Sequence, residues 1–303
     1  MQLKQILSTG LVAAPLLAVA DSTSSAHNFN CGSGSPPPKV IAGLNNLRTA
    51  EGATLSSSSR RSDESLSYAS SLSIPLHLHA VTKVGSPMDP DVLHSQYLVI
   101  QDAYAQYGIH FVLEGMTRYE DDDLSFFNST RFYGIGDNDD RMWYLANTRK
   151  GGYDTLNIWF YDDMEDGMNG VCTFPHDDDL ESSLWRDGCH VLAGTMPGGD
   201  RENYNVGYTA VHEAGHWLGL LHPWGEEVGT CGGEGDLVDD TPAQSEPAFN
   251  CPVKPDSCPD HPGYDNAWNF MDYADDTCDG EQFFTHGQMI RMHNSYNTYR
   301  VGK

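Results

Sequence analysis

The stretch Thr209–His222 reads T-A-V-H-E-A-G-H-W-L-G-L-L-H. His212 and His216 are four residues apart, so on a helix both rings leave the same face, one turn apart. Two imidazoles in that arrangement can bind one Zn²⁺ at Zn–N distances of about 2.0–2.1 Å. Glu213 is rotated from His212 by roughly 100° about the helix axis, so its carboxylate lies beside the metal. There it can take a proton from a zinc-bound water, and the stretch therefore predicts a metal-binding helix with a general base.

A third ligand requires the helix to end before His222. On a straight helix, this residue would lie about 15 Å beyond His212 along the axis. Gly219 can adopt the positive φ that ends a helix and turns the chain, which brings His222 back to the ion. Three histidines and a water form an open, catalytic zinc site rather than a closed, structural one. The alternative is a core helix that carries three histidines by chance, which composition allows on the order of once in ten thousand such chains.

Length and charge limit the classes of protein that need to be considered. The 303 residues are enough for one or two domains with a sizeable core. The formal net charge of −26 argues against nucleic acid or an anionic membrane as a partner. It fits a soluble secreted protein and could favour cationic peptide substrates or bound calcium, although solubility alone explains the charge equally well.

Residues 1–20 have the pattern of a secretory signal peptide. Lys4 precedes a short apolar run at 11–20, which ends in the small-residue sequence Ala18-Val19-Ala20. The run is too short to span a bilayer, so we expect a soluble, extracellular protein. The sequon at Asn128 predicts N-glycosylation and fits the same compartment, although such triplets also occur by chance.

Residues 21–73 are rich in Ser and Pro, and we expect a poorly ordered pro-segment or N-terminal extension. Arg60-Arg61 is either a dibasic processing site or a solvated charge pair. Seven cysteines leave one unpaired, and Cys31 lies in this segment. Its thiolate could occupy the open zinc position and keep an enzyme latent. A disulfide between Cys31 and the body of the protein is the alternative.

Hydrophobic periodicity predicts an α+β domain at 74–303. His77 and His79 fall on the polar side of the first strand and are expected to be exposed. Thr285 and Gln288 form a capping box that opens a last helix. The predicted elements are strands at 74–83, 109–116, 155–161 and 191–196, and helices at 90–107 and 139–147.

The remaining cysteines predict disulfides, and one acidic loop is a candidate calcium site. Cys172 and Cys189 are close in sequence and are expected to pair. The remaining four cysteines allow three connectivities: Cys231, Cys251, Cys258 and Cys278. The Gly- and acid-rich loop at 222–242 suits Ca²⁺, or it is simply a solvated acidic loop.

Met271 lies in the sequence Asn-Phe-Met-Asp-Tyr downstream of the three histidines. A lone methionine in an apolar context is usually core packing, but after this motif it is better read as a methionine turn beneath the metal. Tyr273 follows two residues later, and its phenol could reach the metal or hydrogen-bond a developing oxyanion.

With His-Glu-x-x-His-x-x-Gly-x-x-His and Met271 both present, the chain resembles the pappalysin-type metzincins, in particular their fungal extracellular metalloproteases. The resemblance covers roughly residue 74 to the C-terminus. It implies a two-lobed zincin: a twisted mixed sheet with a backing helix and an active-site helix, then a smaller lobe with the methionine turn and a final helix. The other supporting motifs are T-F-P at 173–175, M-P-G-G at 196–199, G-D-x-V-x-D-T-P at 235–242 and F-T-x-G-Q at 284–288.

The resemblance also implies roles for individual residues. It gives one catalytic zinc per chain, held by His212, His216 and His222, with Glu213 as the general base. Asp276 takes the position of an acidic residue that lines the S1′ pocket of a relative and selects Arg or Lys at P1′, although its neighbour Asp275 could do so instead. The resemblance further implies the disulfides Cys231–Cys258 and Cys251–Cys278, and calcium near Asp236, Asp239 and Thr241.

These features together predict a secreted zinc endopeptidase. It would act as a monomer on proteins or peptides, with no nucleic-acid or membrane partner, and Tyr273 and the zinc would hold the oxyanion. The edge of the strand at 191–196 would align the peptide. The alternatives are a non-catalytic, zinc-stabilised surface or binding protein, which would have no use for Glu213, and an amidase or narrow peptidase for small substrates.

Overall fold

The computed structural model describes residues 29–58, 71–89, 91–128, 140–177, 180–225 and 228–303. The predicted signal peptide, Arg60-Arg61 and the last two residues of the Asn128 sequon lie outside these ranges. Within them, no helix combines the length and apolar character needed to cross a membrane.

The described residues form one main sheet with helices on its faces. The elements, in chain order, are α1 (Pro38–Ser58), β1 (Leu72–Thr82), α2 (Val92–Ala105), β2 (Ile109–Glu120), β3 (Phe126–Phe127), α3 (Asp140–Thr148), β4 (Leu156–Tyr161), β5 (Asp163–Met164), β6 (Gly170–Cys172), α4 (Leu180–Ser183), β7 (Cys189–Leu192), α5 (Tyr208–Trp217) and α6 (His286–Tyr299).

The main sheet has the strand order β2-β1-β4-β7-β6. Its first four strands are parallel, and β6 pairs with β7 in the antiparallel direction. One face carries the apolar side of β1, including Ile74 and Leu76, and packs on α2 and on the buried helix α5. The mixed α+β architecture predicted from periodicity is confirmed, and it places α5 directly behind the β6 end of the sheet.

The opposite face of the sheet is also covered, so the predicted exposure of His79 is wrong. Its ring stacks on Trp159 at a centroid distance of 5.1 Å, and its Nε2 lies 3.0 Å from the Asn157 side-chain oxygen. Burial lowers the pKa of His79 to about 4. Alternation alone predicted a solvated face, whereas a largely parallel sheet is usually covered on both sides.

The strand predicted at 191–196 needs two corrections. β7 begins at Cys189 and ends at Leu192, because residues 193–195 form a 3₁₀ turn. β7 also lies inside the sheet, between β4 and β6, so it offers no free edge to a peptide. The edge on this side belongs to β6.

The N-terminal segment, which we define as residues 29–58, is not poorly ordered as its composition predicted. Pro38 is the first helical residue of α1, a position where its fixed φ and missing N–H are tolerated. Glu51 of α1 accepts hydrogen bonds from the buried guanidinium of Arg291 in α6, at 2.8–3.1 Å. Composition could not reveal this order, because it depends on tertiary packing. The apolar cluster at this contact contains Val40, Leu44, Leu47, Phe174, Leu221 and Leu237.

Beyond α5 the chain has little regular structure until the final helix. The structure contains all three predicted disulfides: Cys172–Cys189, Cys231–Cys258 and Cys251–Cys278. The last helix, α6, opens with the predicted capping box between Thr285 and Gln288. The two later disulfides cross-link the region that carries Met271 and Tyr273, which holds these residues against α5.

Candidate metal centre and active site

The helix α5 ends in a turn that reverses the chain at Gly219. Residues Thr209–Trp217 are all buried. The N–H of Gly219 donates to the His216 carbonyl at 2.9 Å, and the N–H of Leu220 donates to the Gly215 carbonyl at 2.9 Å. Gly219 has φ of +91°, the left-handed conformation of a Schellman motif. The chain therefore turns at the glycine that the sequence indicated, and His222 returns to the helix face.

We expect Gly219→Ala to destabilise the fold by about 2 kcal/mol and to weaken metal binding, because a Cβ would meet both a positive φ and a neighbouring side chain. An ideal Cβ at this position lies 2.5 Å from Ser295 Oγ. Chemical denaturation and zinc titration measure the two effects. Gly232→Ala is the matched control, because its Cβ would have no heavy atom within 4 Å. Equal stability of the two variants would contradict the role given to Gly219.

Three imidazole nitrogens converge on one point. The Nε2 atoms of His212 and His216 are 3.1 Å apart, and each lies 3.2–3.3 Å from the Nε2 of His222. The Nδ1 atoms of His212 and His216 lie 2.7 Å and 2.8 Å from the carbonyl oxygens of Phe270 and Leu220. A carbonyl oxygen can only accept a hydrogen bond, so the Nδ1 of each ring carries the hydrogen. The Nε2 of each neutral ring is then unprotonated, and its lone pair points towards the centre.

This geometry fits a zinc ion. Zn–N bonds of 2.0–2.1 Å at tetrahedral angles place ligand nitrogens about 3.3 Å from one another. Burial lowers the pKa of His216 to about 4 and the pKa values of His212 and His222 well below 6.5, so the rings are neutral, as a metal requires. Without a cation, converging lone pairs would repel one another.

The thiol of Cys31, in the N-terminal segment, lies beside the three imidazole nitrogens. Its Sγ lies 3.5 Å from His216 Nε2, close to the separation of about 3.6 Å expected for Zn–S and Zn–N bonds of about 2.3 and 2.05 Å at a tetrahedral angle. Cys31 is the one cysteine outside the disulfides, so the predicted alternative, a disulfide to the body of the protein, is not formed. Among the described residues, Cys31 and the three histidines form the group suited to a metal ion.

Glu213 is fully buried beside the three histidines. Burial raises the pKa of its carboxyl to about 8. Gly170 of β6 packs directly on it, since a Cβ at this glycine would lie 2.7 Å from Glu213 Cγ. The Ser33 hydroxyl donates to Glu213 Oε2 at 3.1 Å. The carboxyl group is thus held between α5 and the edge of the sheet, beside the three imidazoles.

Met271 packs against α5, and Tyr273 contacts the third imidazole. A Cβ on Gly215 would collide with the Met271 sulfur, so the missing side chain lets the methionine pack beneath the metal helix. The Tyr273 hydroxyl lies 3.2 Å from His222 Nε2. Trp224 stacks on the His222 ring at a centroid distance of 4.6 Å and fixes the plane of the third imidazole.

The acidic pair after Tyr273 lies beside the site. Asp276 accepts the Val206 N–H at 3.3 Å, just before α5, and burial raises the pKa of its carboxyl to about 7. Asp275 accepts from the Tyr204 hydroxyl at 2.9 Å. The ring of Phe29 lies against Tyr204 and Tyr273, at centroid distances of 5.3 and 4.7 Å. Phe29 therefore packs against both the histidine cluster and Tyr204, the partner of Asp275.

The residues predicted to bind calcium have protein partners. Asp236 is buried and accepts the Val238 N–H at 3.0 Å, and burial raises the pKa of its carboxyl to about 7. Asp239 accepts from Arg48 Nε of α1 at 2.8 Å. Thr241 lies on the same turn, and its N–H donates to the Val238 carbonyl at 3.4 Å. Calcium at these residues stays a prediction.

Sequence reasoning missed three contacts at this site: Ser33 on Glu213, Phe29 beside Tyr273, and Trp224 on His222. Trp224 lies two residues after a ligand, and that proximity was an available signal. Phe29 and Ser33 each lie two residues from Cys31, which was the same kind of signal, but their partners are more than 170 positions away and could not be predicted. The predicted glycosylation site, Asn128, is half-buried.

The chain is similar in sequence to known metalloproteases. Residues 144–297 match the family model described as pregnancy-associated plasma protein-A. The extracellular metalloprotease of Pyricularia oryzae is 36% identical over 296 residues, which cover 95% of this chain and 97% of that protein. The extracellular metalloprotease of Sordaria macrospora is 35% identical over 306 residues, 99% of each chain.

Solved structures with the same fold include two forms of one protein of Tannerella forsythia. A promirolysin mutant is 25% identical, with a TM-score of 0.62, and the match covers 90% of this chain and 95% of that one. Mature mirolysin in complex with a cleaved peptide is also 25% identical, with a TM-score of 0.60, and the match covers 77% of this chain and 97% of that one.

Proposed function

The chain belongs to the pappalysin family of metallopeptidases, and from that premise we propose that it is a secreted zinc endopeptidase. The observation that carries the proposal is the set of three Nε2 atoms 3.1–3.3 Å apart with the buried Glu213 beside them. A zinc site that only stabilises the fold has no use for a buried carboxyl group beside the metal, whereas a hydrolytic site needs a base there. Secretion is supported by the three disulfides and by relatives named extracellular metalloproteases.

Each residue has a role in peptide hydrolysis. A zinc ion held by the three histidines would supply Lewis-acid chemistry, which would polarise the scissile carbonyl and make the attacking water more acidic. Glu213 takes the proton that the attacking water loses and returns it to the leaving amine. Tyr273, whose hydroxyl lies 3.2 Å from His222 Nε2, donates to the developing oxyanion. The edge of β6 aligns the substrate main chain, the role first given to the strand at 191–196.

Casein digestion tests the proposal on protein from which the N-terminal segment has been removed. We expect digestion that a chelator abolishes and zinc restores. An amidase or narrow peptidase would leave casein intact but cleave small amides, and a non-catalytic zinc protein would do neither. Detection of the protein in the culture medium of expressing cells tests secretion.

We also propose that the pocket beside Tyr273 prefers Arg or Lys at P1′, with Asp276 as the selecting carboxylate. Two observations support this preference: Asp276 is half-buried and forms no ion pair with a cation of the described residues, and Asp275 adds a second carboxylate behind Tyr204. A basic side chain would compensate for the cost of burying this charge. A peptide-library cleavage profile tests the preference, and a profile without Arg or Lys at P1′ would exclude it. The same profile, measured for Asp276→Asn and for Asp275→Asn, identifies which of the two carboxylates selects the basic side chain.

We propose that Cys31 keeps the unprocessed chain latent by occupying the fourth zinc position. Its Sγ lies 3.5 Å from His216 Nε2. Promirolysin also matches a larger share of this chain than mature mirolysin does, 90% against 77%. Cys31→Ala is expected to raise the peptidase activity of the unprocessed chain at least about tenfold, because thiolates are strong zinc ligands. Unchanged activity on a quenched peptide would exclude latency through the thiol.

Two smaller proposals complete the description. Calcium bound near Asp236, Asp239 and Thr241 would raise the unfolding temperature, and a chelator selective for calcium would reverse the rise without removing zinc.

Glycosylation of Asn128 would appear as a mobility shift on treatment with an endoglycosidase, which Asn128→Gln would abolish.

A further inference from the structure

Residues 30–33 of the N-terminal segment occupy the open edge of β6. The N–H of Asn169 donates to the Asn30 carbonyl at 2.7 Å, and the N–H of Gly32 donates to the Gly170 carbonyl at 2.8 Å. Cys31 pairs with Gly170 in the parallel direction. These are the backbone groups that a bound peptide would use, so the segment and a substrate compete for the same edge.

Ser33 continues this contact with its side chain, which is only 4% exposed. Its hydroxyl oxygen accepts the N–H of Cys172 at 2.8 Å and lies 3.1 Å from Glu213 Oε2. A hydroxyl has a single proton, and its nearer acceptor is Glu213 Oε2, since the Cys172 carbonyl oxygen is farther away at 3.4 Å. Ser33 therefore bridges the edge of the sheet and the general base.

We propose that Ser33 is a second inhibitory residue, whose hydroxyl occupies Glu213 while the thiol of Cys31 occupies the metal. The inference rests on the proposed peptidase function, because it assigns the base a blocked state. The Ser33 hydroxyl hydrogen takes the acceptor position on Oε2 that a water would otherwise use. The N-terminal segment thus blocks the two groups on which hydrolysis depends, one with each side chain.

The two contacts belong to one compact turn but act on different atoms. The N–H of Ser33 donates to the Cys31 sulfur at 3.3 Å, and the N–H of Gly34 donates to the Gly32 carbonyl at 2.8 Å. Loss of the thiol would therefore free the metal but leave the hydroxyl on the base. Removal of Cys31 alone should relieve only part of the latency.

The test compares unprocessed, zinc-loaded full-length chains that carry Cys31→Ala, Ser33→Ala or both substitutions. We expect Cys31→Ala/Ser33→Ala to cleave a quenched peptide about tenfold faster than Cys31→Ala, the contribution typical of a hydrogen bond to a charged group. We expect Ser33→Ala alone to retain one sulfur ligand in its zinc X-ray absorption spectrum. Ser35→Ala, at an exposed position two residues later, is the matched control.

Two results would overturn the inference. One is equal activity of Cys31→Ala and the double variant. The other is loss of the zinc–sulfur signal in Ser33→Ala, which would mean that Ser33 only positions the thiol.

A double-mutant cycle between Ser33→Ala and Glu213→Ala, followed by chemical denaturation of the unprocessed chain, tests the contact without requiring activity. We expect a coupling of about tenfold in the unfolding equilibrium constant, and additive effects would contradict the contact. If the coupling is found but neither the variants nor the processed protein cleave the peptide, the inference and the proposed function are both overturned. Activity with equal rates in the two Cys31 variants would overturn the inference alone.

Discussion

Glu213→Gln is expected to lower the peptidase activity of the processed protein by about a thousandfold, the effect typical of a lost general base. Glutamine has nearly the shape of glutamate, so packing against Gly170 is preserved, but its amide cannot accept the proton of the attacking water. Because the three histidines are unchanged, zinc content should stay at one ion per chain. Initial rates on a quenched peptide, together with metal analysis, measure both quantities.

The control for this prediction is Glu246→Gln, which makes the same chemical change at an exposed position. It should leave activity within about twofold of the unmodified protein, as surface substitutions away from special features usually do. Activity of Glu213→Gln close to that of the control would mean that another group takes the proton. Loss of zinc from Glu213→Gln would mean that the carboxylate holds the site together instead.

Asp187→Asn is expected to cost about 3–5 kcal/mol of folding free energy, because it leaves two buried guanidinium groups without a carboxylate. Asp187 accepts hydrogen bonds from Arg149 at 3.1 Å, from Arg300 at 3.2 Å and from the indole of Trp217, the last residue of α5, at 3.2 Å. The side chain of Arg300 is fully buried and lies over the Trp217 ring, 3.6 Å from its centroid. The network thus links the C-terminal end of α5 to the C-terminal end of α6.

Thermal unfolding measures this effect, and we expect the unfolding temperature to fall by about 10 °C for a domain of this size. Asp260→Asn removes a carboxylate from an exposed position and should shift the temperature by less than about 2 °C. An unchanged unfolding temperature in Asp187→Asn would show that the two arginines find other partners in the folded chain.

The cluster of three histidines could be predicted from the sequence because its determinants are local. His212, Glu213 and His216 share one helix, and the reversal at Gly219 follows from the φ of +91° that glycine accepts. The geometry of the ligands therefore depends on fewer than fifteen consecutive residues. Met271 and Tyr273 lie far along the chain, and their roles were predicted from their position downstream of the histidine motif rather than from helical spacing.

The features that sequence reasoning missed depend on contacts between distant parts of the chain. His79 is buried because Trp159 stacks on it from another strand. The N-terminal segment is ordered because Glu51 meets the buried Arg291, 240 residues away. The position of β6 at the edge follows from strand order, which hydrophobic alternation does not encode.

Zinc X-ray absorption on the unprocessed chain tests the central claim most directly, that three imidazoles and the Cys31 thiol surround one ion. The structure predicts three nitrogen ligands at about 2.0–2.1 Å and one sulfur at about 2.3 Å. Cys31→Ala should replace the sulfur with an oxygen or nitrogen and keep the three imidazoles. A spectrum with fewer than three imidazoles, or a purified chain that binds no zinc, would contradict the account.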